Sequence, residues 1–225
     1  MKLTKKKVFV SALAICLVAI ISLGTLAWFS DSDSVTNNFY VADSDDDTAD
    51  KIFSVDVWEN TPDGDEDQDG FEYDDILPGD VLKKEPHVEN TGHYDQYIRV
   101  IVTISDAQTW INALGADFNA ANLFVGFDAT MWDAAHTWNN VSEATDITAL
   151  TEIVYVLYYN DVLESGDDFT VFTDVKIPES LTQDQAATFS ADGFSINVKA
   201  QAVQTDNVGA SAYEAFQTVG MAIAD

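Results

Sequence analysis

Apolar and polar residues alternate with a period of two along much of the chain. Phe53, Val55 and Val57 are separated by polar neighbours. In residues 97–104 one face collects Ile98, Val100, Val102 and Ile104. Leu123, Val125 and Phe127 repeat the pattern, and Phe194, Ile196, Val198, Ala200 and Ala202 alternate with Ser195, Asn197, Lys199 and Gln201. A strand turns successive side chains to opposite faces, so this period predicts strands with one buried and one wet face. Residues 151–159 break the rule. They read TEIVYVLYY, almost wholly apolar and rich in β-branched and aromatic residues, which predicts a central strand buried on both faces. Gly166-Asp167 opens a further strand through Phe169, Val171 and Phe172, and Val175-Lys176-Ile177-Pro178 closes that segment.

Helical signals are few. Ser105-Asp106 is placed to cap a helix through Trp110, Ile111 and Leu114, with Gly115 at its end. Residues 210–216 fit a second short helix. Ile76-Leu77-Pro78-Gly79-Asp80 is a turn, because Pro presets φ and Gly accepts a positive one. At least six strands with few helices predict a mainly all-β chain, built as an antiparallel β-sandwich of immunoglobulin or jelly-roll type.

The two ends of the pattern differ from the middle. Lys5, Lys6 and Lys7 precede an uncharged, mostly apolar stretch over residues 8–23, and Gly24-Thr25-Leu26-Ala27 supplies small residues after it. This is the layout of a secretory signal peptide cut after Ala27, leaving Trp28 first. Extending the apolar run through Trp28 and Phe29 gives the alternative, a retained membrane anchor. Residues 28–51 are rich in Ser, Asp, Asn and Thr and read as an exposed, flexible arm with an apolar patch at Phe39-Tyr40-Val41. The expected layout is a signal peptide at 1–27, an arm at 28–51 and a β-domain at 52–225.

Charge narrows the partners. The net charge is −29, and four of the ten basic residues lie within the first seven positions. Loss of the leader therefore takes the chain to about −33, a surface that repels nucleic acid and anionic lipid. It attracts divalent cations or a basic partner, or serves only to keep an exported protein soluble. Cys16, the one cysteine, lies in the leader, so a mature chain has neither thiol catalysis nor zinc–thiolate sites.

The sharpest chemical motif lies in the acidic stretch 60–75. Asp65, Asp67, Asp69 and Gly70 match the first, third, fifth and sixth positions of a calcium loop, with Asp63 just before them. The twelfth position would be Ile76 rather than a bidentate Glu. Calcium held by Asp63, Asp65, Asp67 and Asp69 and a merely solvated acidic loop both remain open. His87, His93 and His136 do not form H-E-x-x-H, and no nucleophile elbow, phosphate loop or dinucleotide glycine pattern is present. The tryptophans Trp58, Trp110, Trp132 and Trp138 read as core or rim rather than a sugar platform. Nothing here singles out an enzyme.

Residues 24–31, GTLAWFSD, resemble the junction cut by SipW-type signal peptidases. Leu77-Pro78-Gly79-Asp80, Val88-Glu89-Asn90-Thr91-Gly92 and the strand after them resemble the P-G-D and N-x-G pattern of the TasA and camelysin (CalY) family of secreted matrix proteins. The stretch from Asp192-Gly193-Phe194 to Gln204 resembles that family's closing strand. The similarity covers most of 1–104 and 150–216, and 105–150 finds no counterpart. It implies a jelly-roll-like sandwich with a short helical insertion at about 105–150. It also implies a secreted, non-enzymatic fibre subunit of a biofilm or cell-surface matrix. Its partners would be itself, head to tail, a SipW-type signal peptidase and other matrix components, with the membrane involved only through an uncut leader. Cleavage would free the arm as a donor strand that buries Trp28, Phe29, Phe39 and Tyr40 in the next subunit. A monomeric surface adhesin is the rival reading. A camelysin-type metallopeptidase is a weaker one, since the histidine spacing gives it no support.

Overall fold

The computed structural model describes residues 30–35, 53–60, 66–67, 73, 76–114, 123–186 and 193–223. Residues 31–225 cluster as one unit. The fold is mainly β. The first half contributes β1 (Ser30–Val35), β2 (Asp56–Asn60), β3 (Glu66–Asp67), β4 (Val81–Lys83), β5 (Pro86–Glu89) and β6 (Gln96–Ser105). The second contributes β7 (Phe124–Val125), β8 (Trp138–Asn139), β9 (Glu152–Tyr158), β10 (Asp168–Thr170), β11 (Asp174–Lys176) and β12 (Ile196–Gln204). Among the described residues four short α-helices accompany them: α1 (Ala107–Leu114), α2 (Asn140–Glu143), α3 (Gln183–Ala186) and α4 (Ala212–Val219).

The strands form three sheets, ordered β1-β12-β6-β9-β8, β10-β5-β2-β3 and β4-β11-β7. The predicted central strand β9 lies beside β6, with Arg99 opposite Tyr158 and Ser105 opposite Glu152. On the other side β6 pairs with β12 over nine residues, from Gln96↔Gln204 to Ile104↔Ile196. One core joins the sheets. Ile98, Val100, Val102 and Ile104 of β6 meet Val198, Ala200 and Ala202 of β12, Val57 and Val88 of the four-stranded sheet, and Val175 of the three-stranded one.

Several sequence readings change. Residues 97–104 are not half-buried: Tyr97, Arg99 and Ile101 on the second face are also covered. The cover is α4, whose Ala212, Ala215 and Phe216 pack with Tyr97, Ile101, Val156, Tyr158 and Val203. Leu123, Val125 and Phe127 do not share a buried face. Leu123 and Phe124 are both buried and Val125 is 40% exposed, because β7 keeps only two residues, paired with Asp174 and Val175. The single strand expected from Gly166 onward is two. β10 pairs with β5, and β11 pairs with β4 in another sheet, so the chain changes sheet at 171–173. Asp106, expected as a helix cap, has φ of +57°, and α1 follows it through a bond from Trp110 N–H to Asp106 O at 3.4 Å. The segment 105–150 is more than a helical insertion. It supplies β7 and β8 to two sheets and Trp132 and Val141 to the core.

Candidate functional site

The outer edge of the five-stranded sheet is formed by β1, which lies beside β12. β1 is six residues long and flanks the nine-residue β12, while the other strands at sheet edges (β3, β4, β7, β8 and β10) have two or three. Short, charged edges such as Glu66-Asp67 resist further strand addition. β12 spends one side of its backbone on β6 and meets β1 on the other. β1 reads SDSDSV. Serine and aspartate favour strands little, so the sequence of this segment gives no strand signal of its own.

The side of β12 away from the core is fixed by a buried cation. Arg99 is 2% exposed and lies directly across from Gln201 in the ladder. Its Nε donates to Gln201 Oε1 at 2.8 Å. Its Nη2 donates to the carbonyls of Met221 and Ala222 at 3.2 and 2.7 Å. The guanidinium also sits 4.3 Å from the centre of the Phe216 ring. Burial pulls its pKa below the ordinary arginine value. Among the described residues its partners are neutral oxygens rather than a carboxylate. Carbonyls just beyond the end of α4 sit at the negative pole of the helix, where a cation is favoured. Arg99 thereby ties the C-terminal segment to the centre of the sheet. A lone Arg inside an apolar strand is the sequence signal that would have revealed it.

A second polar cluster explains the N-x-G pattern. Asn90 is fully buried. Its Nδ2 donates to the carbonyls of Tyr94 and Leu163, both at 2.9 Å, and its Oδ1 accepts from Gly92 N–H at 3.0 Å. Thr91 Oγ1 donates to Ser54 Oγ at 2.9 Å, and Gln96 Nε2 donates to Ser54 O at 2.9 Å. A Cβ on Gly92 would lie 2.8 Å from Ser54 N and 2.9 Å from Gln96 Nε2, so only glycine admits this close approach. The expected turn at 76–80 also forms. Gly79 has φ of +94°, and Asp80 N–H donates to Leu77 O at 3.1 Å. Both motifs hold connections between strands. Neither presents an exposed reactive group.

Most of the residues expected to carry chemistry fall outside the part of the chain described. Ala27, Trp28, Phe29, Phe39 and Tyr40 lie outside the described residues, as do Asp63, Asp65 and Asp69. Asp67 is on β3, at the register position opposite Glu59 of β2. Glu59 is fully buried and paired to Lys84 at 2.5 Å, a buried ion pair that no sequence motif announced. His87 is buried, stacks on Trp58 with centroids 4.0 Å apart and contacts Asp168 at 3.1 Å. His136 contacts Asp133 at 2.6 Å and stacks on Tyr213. His93 is exposed on a bend. Among the described residues no three His, Cys, Asp or Glu side chains gather around a point that could hold a metal ion. Trp110 and Trp132 are core residues, and Trp58 and Trp138 are half-buried. No protein-family model matches the chain, and no curated protein or solved structure does either.

Proposed function

We propose that this chain is a secreted, non-enzymatic structural subunit of extracellular biofilm or cell-surface fibres. In this reading a SipW-type signal peptidase cuts after Ala27, and the new N-terminal segment adds a strand to a neighbouring copy. The observation that carries it is the place of β1. This strand lies at an outer edge, on the flank of the nine-residue β12. Residues 36–52 separate it from the next described part of the chain and can span at most about 60 Å when extended, enough to reach an adjacent subunit. A head-to-tail contact of this kind does not close on itself and yields a filament. The resemblance of residues 24–31 and 77–92 to secreted matrix proteins points the same way.

The pairing of β1 within its own sheet also favours a second reading, a monomeric surface-binding module whose edge is simply closed. Electron microscopy of the chain beginning at Trp28 separates the two. The fibre reading expects filaments that disappear when residues 28–40 are deleted. Monomers of the intact chain at every salt and calcium concentration would instead establish the binding module. N-terminal sequencing of exported material is expected to begin at Trp28.

A further inference from the structure

We propose that the outer face of the three-stranded sheet β4-β11-β7 is a docking surface for the same face of a second copy of this chain. The register fixes what that face carries. Val175 of β11 lies between Leu82 of β4 and Phe124 of β7. Val175 and Phe124 are buried, and Leu82 packs against the core, so this row turns inward. The alternate residues therefore point outward. Val81 lies opposite Lys176, and Asp174 lies between Lys83 and Val125. Val81 is 57% exposed and Val125 40%. Leu77, 64% exposed, sits in the turn whose Gly79 N–H donates to Ile177 O at 3.0 Å, directly beyond Lys176. Among the described residues, three of the six exposed large apolar side chains thus lie on or beside this one small sheet.

Charge selects the occupant. The chain carries −29 overall, so two copies repel in most orientations. Among the described residues, Lys83 and Lys176 are the only exposed lysines or arginines, and both project from this face. Lys83 pairs with Glu85 at 2.9 Å and Lys176 with Glu179 at 3.1 Å. Exposed bridges of this kind contribute little within one copy, so the lysines are free to exchange partners. With Asp174 the face holds both signs around an apolar group. A two-fold contact uses that mixture, because each copy's lysines meet the other's carboxylates. An acidic partner of another kind would meet Asp174 and Glu179 as well as the lysines. The sheet measures only about 10 Å across its strands and about 10 Å along them, short of the roughly 800 Å² that each partner buries in a standard interface. The contact is therefore weak, with a Kd of about 100 μM, and forms where subunits are concentrated. It uses a different sheet from the strand-addition reading and does not rest on it.

Sedimentation velocity of the exported chain, cleared of filaments by centrifugation, tests this over about 5–500 μM, a range that brackets the expected constant. The wild type should pass from one copy to two. Val81→Thr/Val125→Thr keeps the β-branched shape but removes apolar surface, and each change counts twice in a two-fold contact, so dimerisation should weaken about 10-fold. Lys83→Glu/Lys176→Glu leaves only carboxylates on the face and should weaken it at least as much. All four positions are exposed, and circular dichroism checks that the fold is kept; if one pair of substitutions unfolds the chain, the other decides. Mixing Lys83→Glu/Lys176→Glu with Asp174→Lys/Glu179→Lys should recover the two-copy species that the former lacks alone. A wild type that stays monomeric throughout, or dimers that survive either pair of substitutions unchanged in a folded chain, would overturn the proposal. Filaments, scored in the pellet by electron microscopy, report on strand addition, so either reading can fail without the other.

Discussion

Replacing Asn90 by alanine isolates the contribution of the buried polar cluster. The side chain makes three hydrogen bonds, to Tyr94 O, Leu163 O and Gly92 N. Two of the three partners have a second bond: Leu163 O also accepts from Gln96 N, and Gly92 N also donates to Ser54 O. These groups are not orphaned outright, so the loss stays near the usual net value of about 1 kcal/mol per bond. Tyr94 is exposed, which lets water reach that end of the cluster. A void left in a fully buried position adds to the loss. The sum is about 2–4 kcal/mol, a large part of the roughly 5–15 kcal/mol that stabilises a typical domain. At about 2–4 °C per kcal/mol for a domain of this size, the melting temperature is expected to fall by roughly 5–15 °C. Urea unfolding followed by tryptophan fluorescence gives the free energy directly. A change below about 1 kcal/mol would refute the claim that this asparagine ties the connection between β5 and β6 to the segment between β9 and β10.

Three further perturbations test other parts of the argument. Gly92→Ala should destabilise by about 1–3 kcal/mol, as expected when a Cβ is forced against backbone; a neutral result in the same unfolding assay would mean that Ser54 moves aside freely. Lys84→Met leaves the buried Glu59 carboxylate unpaired and should cost about 3–5 kcal/mol, whereas the double variant with Glu59→Leu should recover most of it. A double variant no better than the single one would show that the charge pair is not the cause. Asp128 and Asp146 each accept a side-chain and a backbone hydrogen bond from the threonine two residues on, which holds both carboxyls below their ordinary value of 3.8. A depressed folded-state pKa gives stability that is present above the unfolded value and lost as pH falls through the folded one. The melting-temperature gap between wild type and Asp128→Asn/Asp146→Asn should therefore be widest near neutral pH and close below about pH 4; a gap independent of pH would contradict it.

The parts of the fold legible in the sequence are those where burial follows the strand period. β9 and β12 were both visible, one as an unbroken apolar run and the other as an alternation. β6 shows why alternation alone is insufficient. Its second face carries Tyr97, Arg99 and Ile101, which reads as a mixed, wet face. It is in fact covered by α4, more than a hundred residues later in the chain. Periodicity reports what one strand offers, not what a distant element brings to cover it. The change of sheet between β10 and β11 was hidden for a related reason. Phe169, Val171, Phe172 and Val175 are all buried, so nothing in polarity marks the point where the backbone changes partners.

Legibility of the candidate site divides along the same line. The turn at Pro78-Gly79 and the Asn90-Gly92 junction were readable because glycine and asparagine there answer local backbone demands. The ion pair of Glu59 and Lys84 joins residues far apart in sequence and leaves no local trace, and Arg99 shows only as a lone cation in an apolar strand, with nothing to name its distant carbonyl partners. β1 is the instructive case. A stretch of alternating Ser and Asp reads as a solvated arm because its sequence holds no aromatic and only one aliphatic residue. Yet an edge strand needs only backbone donors and acceptors, which every residue except proline supplies in full. Residues 30–35 lie along the outer flank of β12, where pairing asks for backbone groups rather than for a particular side-chain pattern. A strand of that kind leaves little trace in hydrophobic periodicity, which is why the outermost strand of the largest sheet is the one the sequence pattern hides.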